Sequence, residues 1–360
     1  MFIIAVENFI LFSTLLALVG FVFAWSSRAL SANGYWKPHP HTLTRLYTVT
    51  LALPPVLAAW IVATALLPES WLGEASFRAA HTAPLHDLHL LSDLTAKLNP
   101  MLAYATVSFA VCAALFACWS SIRGSMRVGR VIQKLEMNAA PPPPGQVSLV
   151  EQTAARHALD VGLVMSDYPF TFVWGFWRSK LVLSSGLLRT LTPAELAGVL
   201  EHEAAHHTRR DNLAKLLLSA LSYASLAFPL SRLILRWRGA EVELICDEIA
   251  AGRTSAPLEV ASALVKLRRQ TLTSNENRPA DALASGFVPD DSPSVERRVR
   301  RLVRLADAVP TQAHARLLSK TQNAEALFIA AVFTTTLFAA AIYAPLAVHT
   351  AAESIIQFIK

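Results

Sequence analysis

Leu200-Glu201-His202-Glu203-Ala204-Ala205-His206 is the stretch on which the reading of this chain turns. Histidines four residues apart share one face of a helix, so His202 and His206 can both reach a single ion, at about 2.0–2.1 Å if that ion is zinc. Glu203 follows the first histidine by one position and stands beside that face, where it can take a proton from metal-bound water. Ala204 and Ala205 keep the helix slim enough to pack against neighbours. Upstream, Thr192-Pro193-Ala194-Glu195 is a capping box with proline at the first helical position, so the spacing predicts a helix from Pro193 to about His207. Leu196, Val199 and Leu200 are apolar and suit a buried helix. His207 is turned about 100° from His206 and faces elsewhere. Strings of this kind also arise on ordinary polar helix faces, so the surroundings decide.

A catalytic zinc site takes three protein ligands and leaves one position open. The best candidate for the third is Glu243, 37 residues after His206, in Glu243-Leu244-Ile245-Cys246-Asp247-Glu248. Glu243 and Asp247 again lie four apart on one helix face. One can ligate while the other holds a ligand histidine by its second nitrogen. Glu241 is the neighbouring rival, without such a partner in register. Cys246 points to a different face and reads as packing, with a thiol ligand as the alternative.

The wider composition points to a membrane. Of 360 residues, 53% are hydrophobic and 16% charged, against about 25% charged in ordinary soluble domains. The apolar content excludes a disordered chain, and three cysteines cannot build a disulfide framework. Four uncharged stretches, 8–27, 46–67, 98–122 and 326–348, are 20, 22, 25 and 23 residues long. Each can cross about 30 Å of hydrocarbon. Trp25, Tyr35, Trp36, Tyr47, Trp71 and Trp119 lie where interfacial aromatics belong. A cleaved signal peptide is the alternative for the first stretch, although Glu7 is the only charge before Arg28. The loop charges orient the spans. Arg28, Lys37 and Arg45 stand without an acid, Glu69, Glu74, Asp87 and Asp93 outnumber Arg78 and Lys97, and Arg123, Arg127, Arg130 and Lys134 follow the third stretch. Positive loops stay inside. A multi-pass protein of the inner (plasma) membrane is expected, with both termini outside and residues 123–325 cytoplasmic. The net charge of +6 is then topological. No basic stripe with aromatic support is present, so no nucleic-acid partner is expected.

The expected fold class is a mainly α membrane protein: four transmembrane helices and a cytoplasmic α+β metallopeptidase domain with a small β element beside the motif helix. The expected divisions are 1–122 (three spans), 123–145 (a helix at 126–137 and the spacer Pro141-Pro142-Pro143-Pro144), 146–325 (peptidase) and 326–360 (last span and outer tail). Within the peptidase segment, 148–159 reads as a helix, and 168–177 and 180–183 as a strand pair around Gly175. The second strand is expected at an edge, where an extended substrate could add to it. The uncharged run 216–231 reads as a membrane-dipping helix or hairpin, with a buried core helix as the alternative. His81, His86 and His89 read as solvated loop residues, a second metal site being the alternative. Arg297, Arg298, Arg300, Arg301 and Arg304 read as a solvated helix face near anionic lipid, with Arg298 also a candidate oxyanion-stabilising group.

The string 199–206, followed by Arg209-Arg210-Asp211-Asn212 and by Glu243-x-x-Cys246-Asp247-Glu248, resembles the BlaR/MecR family of integral-membrane zinc metallopeptidases. Three spans before the peptidase domain and one after it match that layout. The resemblance implies a gluzincin holding one Zn²⁺ on His202, His206 and Glu243, with Glu203 as general base and Asp247 behind the ligands. It also implies regulatory cleavage of the protein itself or of a cytoplasmic regulator such as a repressor. The antibiotic-sensing members carry an extracellular penicillin-binding domain with a Ser-x-x-Lys nucleophile. The sequence ends at Lys360 without one, so any sensing is expected through the 68–97 loop or a partner, with no sensing at all as the alternative. More distantly, the chain is similar to membrane zinc proteases of the CAAX-processing and heat-shock type, which share the Glu-x-x-x-Asp element and a late His-Pro followed by Arg-Ile. Here that element is Ser292-Pro293-Ser294-Val295-Glu296-Arg297-Arg298-Val299, with Arg298 at the arginine position and serine in place of histidine. The expected partners are a protein or peptide substrate and membrane lipid. A quality-control protease and a non-catalytic scaffold with a structural zinc are the alternatives, and Glu203 speaks against the scaffold because a structural site has no use for an adjacent base.

Overall fold

In the computed structural model the described residues are 2–36, 38–66, 144–176, 179–273 and 292–307, with isolated positions at 108, 112, 115, 119, 123 and 331. The chain divides into two compact units, one of residues 1–118, 218–238 and 319–360, the other of 119–217 and 239–318.

The first unit holds α1 (Phe2–Ala32) and α2 (Pro40–Leu66). They cover the uncharged stretch at 8–27 and all but the last residue of the stretch at 46–67. The stretches at 98–122 and 326–348 lie, isolated positions apart, outside the described residues, as do the outer-loop histidines and the 126–137 segment. Among the described residues one segment, Phe9–Ala32, is long and apolar enough to cross a membrane. The uncharged run 216–231 is a helical hairpin. It comprises the end of α6 (Asp211–Ser222), a turn, and the start of α7 (Phe228–Thr254). Leu218 and Ile234 pack with Ala24, Leu43, Leu46, Tyr47 and Leu51 of α1 and α2. The turn is tied down where the Leu226 backbone N–H donates to Thr14 Oγ1 at 3.0 Å. Farther along α7, Arg238 Nε donates to Thr48 Oγ1 at 2.9 Å. The apolar hairpin therefore belongs with the two long apolar helices.

The second unit contains α3 (Pro144–His157), strands β1 (Asp160–Val164), β2 (Thr171–Trp174) and β3 (Lys180–Ser184), then α4 (Ser185–Thr190), α5 (Pro193–Thr208), α8 (Pro257–Thr273) and α9 (Ser292–Asp307), with parts of α6 and α7. The strand pair expected around Gly175 is present, antiparallel, with Thr171 opposite Leu183 and Trp174 opposite Lys180. Gly175 has φ +110°, which glycine adopts without a steric penalty. A third strand, β1, runs parallel to β3, and the sheet order is β1-β3-β2. This corrects the expectation that β3 lies at an edge: it is central. The reason is visible in Leu181-Val182-Leu183, all fully buried, because a strand covered on both faces reads as a continuous apolar run.

Helix α5 begins as its capping box demands. Thr192 Oγ1 accepts from the Glu195 backbone N–H at 3.3 Å, and the Glu195 carboxylate accepts from Thr192 N–H at 2.9 Å. Glu195 also takes hydrogen bonds from Ser262 (2.6 Å) and Lys266 (2.8 Å) on α8. Leu196, Val199, Leu200 and Ala204 join Leu183, Leu187, Val260, Leu264 and Leu302 in one apolar core. At Gly198 the approach of α8 is so close that a Cβ would lie 2.8 Å from Val260 Cγ2. The motif helix is thus held along its length before any chemistry is considered.

Candidate functional site

The last two turns of α5 and the middle of α7 meet at the motif. His202 Nε2 and His206 Nε2 lie 3.2 Å apart. Glu243 closes the third side, with one carboxylate oxygen 3.5 Å from each of these nitrogens. One donor atom from each of the three residues lies within 4.8 Å of the others. Two imidazole nitrogens and a carboxylate are a donor set that zinc accepts. Glu203 fits the same centre: it is buried, and its Oε1 has no hydrogen-bond partner among the described residues. The Val173 backbone N–H on β2 donates to its carboxylate.

Each histidine is oriented from behind by a carboxylate. Asp247 Oδ1 lies 3.0 Å from His202 Nδ1, and Asp211 Oδ2 lies 3.1 Å from His206 Nδ1. Such contacts fix the ring so that the other nitrogen faces the ion. Asp247 was expected in this place. Asp211 was quoted in the Arg209–Asn212 string but given no role. The chain turns at Arg210 (φ +54°) and starts α6 at Asp211, which carries the carboxylate back to His206. Arg209 Nε steadies it at 3.1 Å. The next residue, Asn212, donates to the backbone oxygens of Val173 (2.8 Å) and Gly175 (3.3 Å), binding α6 to β2. The available signal was a carboxylate five positions after the second histidine.

Cys246 is fully buried, with Sγ 3.5 Å from His206 Nδ1 and 3.8 Å from Asp211 Oδ2. Burial pushes its thiol up to about 11, so it stays protonated at neutral pH. Glu241 turns away from the histidines and pairs with Arg297. Arg298 is enclosed: Nε and Nη2 donate to Asp247 at 2.6 and 2.7 Å, and Nη1 lies 3.2 Å from Glu243. The expectation of a solvated arginine face on α9 is therefore corrected for Arg298, which is buried, whereas Arg297 stays exposed and Arg301 half-buried while each pairs with a carboxylate. α7 presents Glu241, Glu243, Asp247 and Glu248 to them, so these guanidinium groups find carboxylates. Arg300 and Arg304 are exposed.

The electrostatics separate the two glutamates. Burial pushes the Glu203 carboxyl up, only partly countered by His202 and His206. Burial acts on Glu243 too, but hydrogen bonds from His202 and His206 and the Arg298 charge hold it well below the ordinary carboxylate range. Asp247 is likewise held down against its burial by Arg298 and His202. Glu243 and Asp247 are suited to remain anions, while Glu203 is the carboxylate best able to accept a proton. A cavity of about 220 Å³ opens beside His206, lined among others by Val173, Phe176, Ser179, Arg210 and Asn212.

Comparison with known proteins points the same way. Residues 148–306 match the family model for Peptidase family M48. The Protease HtpX homolog of Methanopyrus kandleri is 28% identical over 225 residues, spanning 50% of this chain and 67% of that protein. The crystal structure of S. mikatae Ste24p aligns over 78% of this chain and 83% of its own at 15% identity. Its TM-score of 0.31 is too low to establish a shared fold. The match falls on the kind of protease to which the sequence was more distantly similar, and the BlaR/MecR likeness rests on the motifs alone. His202, Glu203, His206, Glu243, Asp247 and Arg298 all lie inside the span that matches the Peptidase family M48 model, and the chain is a metalloprotease.

Proposed function

We propose that this protein is a membrane-anchored, zinc-dependent endopeptidase. The single observation that carries the reading is the convergence of His202, His206 and Glu243 beside the buried, elevated carboxyl of Glu203. His202, His206 and Glu243 would hold one Zn²⁺ per chain, and Asp247 and Asp211 would keep the two imidazoles aimed at it. Zinc bound there would activate water and polarise the scissile carbonyl. Glu203 takes the proton released by the attacking water and delivers it to the departing amine. Arg298 keeps Glu243 and Asp247 ionised and in place. α1 supplies a hydrophobic anchor, and the charge pattern of the loops puts the peptidase unit on the cytoplasmic side.

For biological role, the motif string 199–206 with its Glu243–Glu248 companion favours regulatory cleavage of the protein itself or of a cytoplasmic regulator. The HtpX homolog supports a second reading, quality control of misfolded membrane proteins. Zinc content and N-terminal sequencing of fragments, on wild type and Glu203→Ala in detergent, test the activity. One zinc in both with fragments only from wild type is expected. Equal cleavage by Glu203→Ala would overturn the mechanism, and zinc-free wild type would overturn the metal site. A single cleavage position favours regulation, and many favour quality control.

A further inference from the structure

Helix α9 meets α7 through ion pairs that none of the roles above uses. Arg297 grips Glu241 with both ends of its guanidinium, Nη1 to Oε1 at 2.7 Å and Nη2 to Oε2 at 2.9 Å. Glu241 is only 1% exposed. One helical turn further along α9, Arg301 pairs with Glu248. Between these rungs projects Arg298, the residue that touches both Glu243 and Asp247. The apolar side of α9 packs as well: Leu302 is fully buried and joins the main core with Val299, and Val295 is buried, while Val303 and Leu305 are exposed.

A buried carboxylate that ligates nothing is costly unless paired, and a planar bidentate pair restricts direction as well as distance. Rungs at positions 297 and 301 fix both the axial slide and the roll of α9. Those two coordinates decide whether Arg298 reaches carboxylates that it now meets at 2.6–3.2 Å. We infer that Glu241 with Arg297, and Glu248 with Arg301, are positioning residues: they seat α9 so that Arg298 holds Glu243 and Asp247 in metal-binding geometry, and the metal affinity of the site is set by this ion-pair seat. The inference rests on the metal site proposed above.

Zinc affinity is the readout, measured by competition with a chromophoric chelator on the full chain in detergent. The proteins compared are wild type, Glu241→Gln, Arg297→Gln, the exchanged pair Glu241→Arg with Arg297→Glu, and the control Arg300→Gln. Among the described residues Arg300 pairs with its own-helix neighbour Glu296 alone. Groups directly behind a ligand change metal affinity by about 10–100-fold. One link further out, each single variant is expected near the low end, about tenfold weaker. The exchanged pair should recover most of that loss, and the control should equal wild type. Variants that melt earlier yet bind zinc as wild type does would overturn the inference and leave these pairs a purely structural role. An exchanged pair no tighter than the singles would overturn it as well. If the singles do not fold, Arg301→Gln at the outer rung replaces them: weakening of a few-fold supports the seat, and unchanged affinity overturns it. Wild type that takes up no zinc is a different failure, that of the metal site, and removes both readings together.

Discussion

Glu201 and Glu203 stand two residues apart on α5, equally buried, and pointing about 200° apart. Glu201 is ringed by basic side chains: Arg156 at 2.7 Å, His157 at 3.0 Å and Arg253 at 3.2 Å. Glu203 faces two histidines and a strand N–H, with one oxygen left without a hydrogen bond among the described residues. The first carboxylate fastens α5 to α3 and α7. The second meets no guanidinium among the described residues, and burial pushes its carboxyl up. One helix therefore carries a stabilising carboxylate and a reactive one. What separates them is the set of partners that α3, α7 and strand β2 bring, since residue type and depth are the same.

That contrast can be broken from either side. The largest effect belongs to the reactive face. Glu203→Gln should lower peptide cleavage by about 10²–10⁴-fold, with zinc content and melting temperature retained; a lower melting temperature would make Glu203 a structural carboxylate after all. His202→Ala should remove the metal, and zinc retained in stoichiometric amount would reject that ligand. On the other face Glu201→Gln should cost about 1–2 kcal/mol of stability in denaturant unfolding while zinc content stays at the wild-type level. Loss of zinc without loss of stability would erase the distinction between the two faces. Glu195 sharpens it through pH. Burial opposes its ionisation, but Lys266, Ser262 and the Thr192 backbone hold its carboxyl below the ordinary 4.5. A depressed folded value stabilises above pH 4.5, and the contribution fades as pH falls through that lower value. Glu195→Gln should thus be less stable than wild type at pH 7, with the gap closing below pH 4.5 in thermal melts. The smallest effect is expected for Arg156→Ala, about 0.5 kcal/mol or less, because that guanidinium is 62% exposed.

Local patterns proved readable where helical periodicity decides them. The capping box at Thr192, the shared face of His202 and His206 and the register of Glu243 with Asp247 all follow from 3.6 residues per turn. What periodicity does not encode stayed hidden. Asp211 reaches His206 only because Arg210 takes a left-handed conformation, which a bare sequence of charged residues does not signal. Strand β1 lies at Asp160–Val164, where Asp160 and Gly162 are residues that strands disfavour, and its parallel pairing makes β3 central. The arginines of α9 look solvated until four acids more than forty residues away are folded against them. Their partners are legible only in three dimensions.

The hairpin at 218–238 has a consequence for how the molecule can be taken apart. His206 and Glu243 belong to one compact unit, but the chain leaves that unit between them and returns 21 residues later. No single cut at either end releases a self-sufficient catalytic fragment. Residues 148–306 excised as a block would carry an apolar hairpin stripped of Ala24, Leu43 and Tyr47, and that exposed surface would drive aggregation. A soluble peptidase calls instead for internal surgery: a short polar bridge replacing 218–238, so that the chain passes from α6 to α7 without visiting the other unit.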